Sequence, residues 1–198
     1  MKRVLSIQDI SCIGKCSLTV ALPIISAMGI ETSILPTSIL STHTMFNDFT
    51  FRDLTDDMEP IKKHWQKEGF SFDAIYTGYL GSEKQITLVK DYFKTFGNTC
   101  KYIIVDPAMA DNGKLYSGFD KDFPLKMAKL CKYADVILPN ISEAAFMTGM
   151  PYPGENASNE CIKDLLLSLA KLGSKKIVIT GVESADHKFG FMGYDSKT

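Results

Sequence analysis

The chain has 198 residues, 45% of them hydrophobic and 23% charged, with a formal net charge of −1. This near-neutral balance argues against nucleic acid or a membrane surface as partner, since both usually select a basic excess. The longest apolar stretch, residues 20–30, is broken by Pro23, Ser26 and Gly29. It falls short of the roughly 20 residues needed to span a bilayer.

Lys2-Arg3 is followed by too few apolar residues for a signal peptide. Cys12, Cys16, Cys100, Cys131 and Cys161 are odd in number and mostly isolated, as expected of reduced, partly buried thiols in the cytosol. Cys12 and Cys16 lack the second half of a zinc site, and His43, His64 and His187 are scattered.

Strand and helix patterns alternate along the whole chain. Residues 4–7 read as a first strand, 18–28 as a helix closed by Gly29, and 32–39 as a second extended run. Asp56 or Asp57 opens a helix through Trp65. Residues 74–77 form a short buried strand, 83–96 an amphipathic helix, and 102–105 a strongly apolar strand ending at Asp106-Pro107. After an irregular stretch, 123–131 reads as helix, 135–138 as strand, 142–147 and 162–172 as helices, and 176–180 as strand. Residues 189–195 read as part of a strand or hairpin. Short apolar strands separated by amphipathic helices predict a mostly parallel α/β sheet covered by helices on both faces. No repeat or linker interrupts this pattern, so residues 1–198 are expected to form a single domain, with a small lid or dimer element around 36–52.

Ligands of such sheets gather at the carboxyl ends of the strands. That rule selects Gln8-Asp9, Gly78-Tyr79, Asp106-Pro107, Asn140 and Thr180-Gly181. Gly14-Lys15 suggests a phosphate loop, but a Walker alignment puts Asp9 at the first glycine and Cys16 at the magnesium-binding hydroxyl. An acidic turn opposes phosphate, so a glycine that merely lets the loop turn is the better reading. No G-x-G-x-x-G follows any strand. Asn140 and Glu143 stand three apart at a helix start, where they can serve magnesium and phosphate or simply cap the helix. Asp106 can serve the same chemistry or form a turn.

The stretches "VLSIQDISCIGKCSLTVALPIISAMG", "LSTHT", "YTGYLGS", "VDPAMAD", "LPNISEA" and "IVITG" resemble, in order and spacing, the pyridoxal/pyridoxamine (vitamin B6) kinases of the ribokinase-like superfamily. The resemblance runs from Met1 to about Tyr194. It implies a ribokinase-like α/β fold and transfer of the γ-phosphate of Mg-ATP to the 5′-hydroxymethyl group of pyridoxal, pyridoxamine or pyridoxine. It further implies that Thr44 bonds the pyridine ring, His43 supports that loop, and Tyr79 lines the pocket. His43 and Tyr79 can equally be core residues with satisfied polar ends. Asp9 stands where many relatives have a serine facing the ring. Asp106 and Glu143 would hold Mg2+ directly or through water. Asn140 and Thr180 would contact ATP phosphates, with K+ beside Thr180, and Asp111 and Tyr116 fall in a segment resembling the loop that closes over ATP. A homodimer in the cytoplasm is implied as well.

The family's Gly-Thr-Gly-Asp motif supplies the anion hole and the catalytic base, and no match to it stands in these residues. The chain therefore reads as an N-terminal two-thirds, C-terminally truncated, with no catalytic base of its own and impaired turnover. The alternatives are a hydroxymethylpyrimidine kinase and a non-catalytic protein that binds B6 vitamers or nucleotide.

Overall fold

A computed structural model describes residues 1–154, 157–183 and 188–197; His187 lies outside them. The residues group into two compact units, Met1–Ile103 and Ile104–Thr198. Both have the α/β character expected from the sequence, with mostly parallel strands flanked by helices.

The first unit contains β1 (Arg3–Ile13), α1 (Leu18–Ala27), β2 (Glu31–Thr42), β3 (Phe51–Asp53), α2 (Thr55–Lys67), β4 (Ala74–Thr77) and α3 (Glu83–Phe96). Its strands lie in the order β4-β1-β2-β3. β1 runs parallel to β2 and β4, while β3 returns antiparallel to β2. Leu5, Ile7, Leu35 and Ile75 are fully buried, which accounts for the short apolar runs that marked these strands. Ser82 caps α3 by accepting the Gln85 amide at 3.2 Å. The buried face of α3 then runs through Ile86, Val89, Phe93 and Phe96 at helical spacing. Tyr92 and Phe96 meet Trp65 and Phe72 in edge-on and tilted ring contacts. The Tyr92 hydroxyl donates to the Met58 carbonyl at 2.7 Å, so a deeply buried phenol keeps a partner.

One boundary differs from the sequence expectation in a way that matters. β1 does not stop at Ile7 but continues to Ile13, which pairs with Thr42. Asp9 is therefore inside the strand and not just past its end. Gln8, Asp9 and Ser11 are all buried, and these polar residues interrupt the apolar run that otherwise signals a strand. The pairing also slips there. Gln8 faces Pro36 and Ile10 faces Ile39, so two residues of β2, Thr37 and Ser38, stand against Asp9 alone. Such bulges bend a strand and re-aim its side chains, and they recur beside functional sites.

The second unit takes in the end of β5 (Tyr102–Val105), then β6 (Ala110–Asp111), β7 (Lys114–Leu115), α4 (Phe123–Cys131), β8 (Val136–Ile137), α5 (Ile141–Thr148), α6 (Asn159–Lys171), β9 (Lys176–Glu183) and β10 (Phe189–Asp195). Its strand order is β5-β8-β9-β10. The first three are parallel, and β10 closes antiparallel on β9, in line with the strand or hairpin read at 189–195. β9 passes through Thr180-Gly181 to Glu183, so these two residues also lie within a strand, where Thr180 pairs with Phe191 of β10 and Gly181 stands at a shift in the register. The stretch read as irregular contains the β6–β7 hairpin. Its turn residues Asn112 and Gly113 both have positive φ, 49° and 70°, the conformation of a tight hairpin turn.

Candidate functional site

In the first unit, the candidate residues gather around β1, β2 and the start of α3. Asp9 is 5% exposed. Ser11 Oγ approaches its Oδ2 at 3.5 Å, while Oδ1 has no hydrogen-bond partner. Burial pushes the carboxyl above its usual range, against hydrogen bonding from Ser17 and Ser11 that favours the ionised form. Ser17 precedes α1 but does not cap it with its side chain, and its φ of 49° is rare for a residue other than glycine. Tyr79 is half-buried. Burial raises its phenol, and the charges of Asp9 and Asp53 raise it further, so Asp9 and Tyr79 share one electrostatic environment.

The loop carrying Tyr79 is pinned from both sides. Thr37 Oγ1 donates to the Tyr79 carbonyl at 3.2 Å, and the Gly81 amide donates to Gln85 Oε1 at 2.8 Å. Gln85 Nε2 reaches the Thr37 carbonyl at 3.0 Å and Thr55 Oγ1 at 2.9 Å. This fully buried amide ties β2, α2, α3 and the loop together, and it was not among the residues expected from sequence. A Ser-x-x-Gln spacing, Ser82 to Gln85, is the signal that could have found it.

His43 lies over Gly14. A Cβ at Gly14 would stand 2.3 Å from His43 Cδ2, and Gly14 has a φ of 98°. Gly14 thus turns the loop, as expected, and also makes room for the imidazole ring. The Met45 amide donates to His43 Nδ1 at 3.4 Å, and the ring leans on Phe46 at 4.8 Å between centroids. Thr44 is exposed in the turn that follows.

In the second unit, Asp106, Asn140 and Glu143 come together at the start of α5. Asn140 and Glu143 form a reciprocal capping box: the Glu143 amide donates to Asn140 Oδ1 at 2.9 Å, and the Asn140 amide to Glu143 Oε2 at 2.8 Å. The Met109 amide donates to Glu143 Oε1 at 3.2 Å. Glu143 is 2% exposed. Burial first, then the neighbouring charge of Asp106, pushes its carboxyl well up, while the backbone amides oppose the shift. Since both oxygens are already engaged, the capping role weighed for Glu143 is the one this geometry displays. Asp106 is half-buried at the end of β5.

A cavity of about 310 Å³ opens beside this cluster, lined among others by Asp111, Asn140, Ser142, Tyr152, Thr180 and Gly181. The Asn140 side chain donates to the Ala110 carbonyl at 2.8 Å, and the Gly113 amide to Ser142 Oγ at 2.8 Å. Tyr152 packs against Gly113, where a Cβ would stand 2.5 Å from the ring. Asp111, Asn140 and Thr180 therefore share one cavity. Tyr116 is not among the residues that line it; its amide donates to the Met109 carbonyl at 2.9 Å. Ser142 and Tyr152 were not anticipated from sequence.

A family model described as phosphomethylpyrimidine kinase matches residues 31–194. The chain belongs to this family. Among solved structures, the chain resembles a candidate phosphomethylpyrimidine kinase from Bacteroides thetaiotaomicron, crystallised in an orthorhombic form with pyridoxal. Identity is 40%, the TM-score is 0.92, and the match covers 99% of this chain and 69% of that one. Pyridoxal kinase from Lactobacillus plantarum matches at 33% identity and a TM-score of 0.84, over 98% and 73%. A curated relative, the pyridoxal kinase PdxY of Actinobacillus pleuropneumoniae, is 27% identical over 188 residues, 90% of this chain and 63% of that protein. The chain spans less than two thirds of the length of the first curated relatives it matches. The pyridoxal kinase resemblance read from "SIQ", "HT" and "TGYLGS" thus agrees with relatives of that name.

For a member of this family, the fit to magnesium can be judged from the donors present. Magnesium keeps several waters and takes one or two carboxylates plus phosphate oxygens. Asp106 offers one half-buried carboxylate, and no group of three or more metal-binding side chains occurs among the described residues. That donor set suits a nucleotide-borne magnesium ion.

Proposed function

We propose that the protein is a vitamin B6 kinase, transferring the γ-phosphate of ATP to the 5′-hydroxymethyl group of pyridoxal, pyridoxamine or pyridoxine. The observation that carries this reading is the 40% identical Bacteroides structure crystallised with pyridoxal, which matches 99% of the chain. The pyridoxal kinase relatives support it. In the first unit, Asp9, Thr44 and Tyr79 would hold the pyridine ring, with His43 seated on Gly14 to order the turn before Thr44. In the second unit, Asn140 and Thr180 would contact the ATP phosphates, with K+ near Thr180 and with Asp111 and Tyr116 in the segment over the nucleotide. Asp106, steadied by Glu143, would hold Mg2+, which when bound neutralises phosphate charge. Phosphoryl transfer depends largely on such positioning and charge neutralisation.

We further infer a cytoplasmic homodimer. Five cysteines outside any disulfide support a reducing compartment, and no described helix is long and apolar enough to cross a membrane. Exposed apolar residues on β1, β2, β3 and the turn between β2 and β3, including Ile13, Ile39, Phe46 and Phe51, support a partner surface.

A hydroxymethylpyrimidine substrate is the second reading, because the matching family model carries that description. Both alcohols, offered in competition with Mg-ATP to the purified protein, separate the two readings. Binding and phosphorylated product would be measured in the same sample. Pyridoxal is expected to bind saturably and to be the preferred acceptor. Preferential phosphorylation of hydroxymethylpyrimidine, or no saturable pyridoxal binding, overturns the B6 reading.

A further inference from the structure

Resting on that reading, we propose that Asp9 sets the choice among the B6 forms. Its Oδ1 would accept a charge-assisted hydrogen bond from the ammonium group of pyridoxamine, so that the amine is held more tightly than the aldehyde.

Three observations converge on Asp9. Its side chain is more than nine-tenths buried, yet Oδ1 has no partner. A buried carboxylate oxygen without a donor is costly, and folded proteins rarely leave one so. The bulge opposite it sets Thr37 and Ser38 against the single residue Asp9, and Ser38 Oγ, also buried, lacks a partner as well. Two unsatisfied polar atoms at one irregularity of an otherwise regular parallel ladder indicate a place shaped for something other than the fold. Finally, the hydroxyls around Asp9 are poor substitutes for a cation. Ser11 stands at 3.5 Å, the far limit of a hydrogen bond, Ser17 and the Asp9 backbone offer only neutral donors, and no lysine or arginine pairs with the carboxylate in the described structure. The charge is held for a donor that arrives from outside.

The chemistry of the three vitamin forms then decides between them. They share the ring nitrogen, the phenol and the 5′-alcohol, and they differ at one substituent: aldehyde, alcohol or aminomethyl. Only the last brings a positive charge. A hydrogen bond to an ionised group contributes roughly twice that of a neutral one. A serine at this position would offer a hydroxyl to all three alike, whereas a carboxylate repels the lone pairs of an aldehyde oxygen and attracts an ammonium.

The experiment is equilibrium binding of pyridoxamine and pyridoxal to the purified protein and to its Asp9→Asn and Asp9→Ser variants. Unfolding temperatures measured without ligand establish that each variant is folded. Pyridoxamine is expected to bind the unaltered protein more tightly than pyridoxal. Asp9→Asn, similar in shape and uncharged, should weaken pyridoxamine by about tenfold or more while changing pyridoxal by less than about threefold. Asp9→Ser should abolish the preference in the same direction. Equal loss for both forms would mean that Asp9 meets a shared ring group, and would overturn this inference while leaving the B6 reading intact. Failure of both forms to bind the unaltered protein would instead overturn the B6 reading itself.

Discussion

Asp9 in the first unit and Glu143 in the second are both carboxylates removed from water, and they are built in opposite ways. Glu143 gives each oxygen to a backbone amide, those of Met109 and Asn140. It closes a capping box and joins the segment after β5 to α5. Asp9 keeps one oxygen without a partner inside a bulged strand. Burial raises both groups and backbone hydrogen bonding opposes the shift at both, but only Glu143 has both oxygens engaged by main-chain donors. The comparison separates a buried charge that holds the fold together from one that the fold tolerates. Under the proposed function, a ligand would supply the interaction that the second kind lacks.

The largest effect that could break this comparison comes from Glu143→Ala. It strands one buried and one partly buried main-chain donor, each costing roughly 1–3 kcal/mol, so urea denaturation should show a loss of about 3 kcal/mol. An unchanged unfolding midpoint would show that water replaces the side chain and that Glu143 is not structural glue. Next comes Gly14→Ala, which puts a Cβ into the His43 ring at a φ of 98°. The expected cost is about 2 kcal/mol, together with weaker pyridoxal binding as the turn before Thr44 shifts. Retained affinity would detach His43 from the vitamin site.

The smallest effect has the opposite sign. Asp9→Asn should stabilise the ligand-free protein by about 1 kcal/mol, because it removes a desolvated charge. The pH dependence follows from the direction of the shift. The folded state raises the Asp9 pKa above its unfolded value, so the folded state binds the proton more tightly. The penalty is therefore fully present above the raised folded pKa and disappears as pH falls through it toward the unfolded value. Denaturation of wild type and variant across that acidic range should show the gap closing on acidification. A gap that widens there would contradict the account.

These two carboxylates also show what was legible in the sequence. Asn140 and Glu143 stand three apart before an apolar run, and that spacing already contained the capping box. Asp9 stood out as a departure from the family serine, although its place within the strand did not. Hydrophobic periodicity loses a strand wherever polar residues are buried for a purpose, as Gln8, Asp9 and Ser11 are here. The β6–β7 hairpin was readable from Asn112-Gly113, a strong turn signal that a two-residue strand on either side was too short to reinforce. Tyr152 and Ser142 were not readable, because their role depends on contact with Gly113 from a distant part of the chain. Gln85 lies between these cases: its helix-start spacing was visible, but its bonds to Thr37 and Thr55 depend on tertiary structure.

The division of labour between the two units is the central claim, and a structure determined with pyridoxal bound tests it most directly. The account predicts the pyridine ring against Asp9, Thr44 and Tyr79 of the first unit. A ring seated instead in the 310 Å³ cavity beside Asn140 and Thr180, with Asp9 untouched, would contradict it.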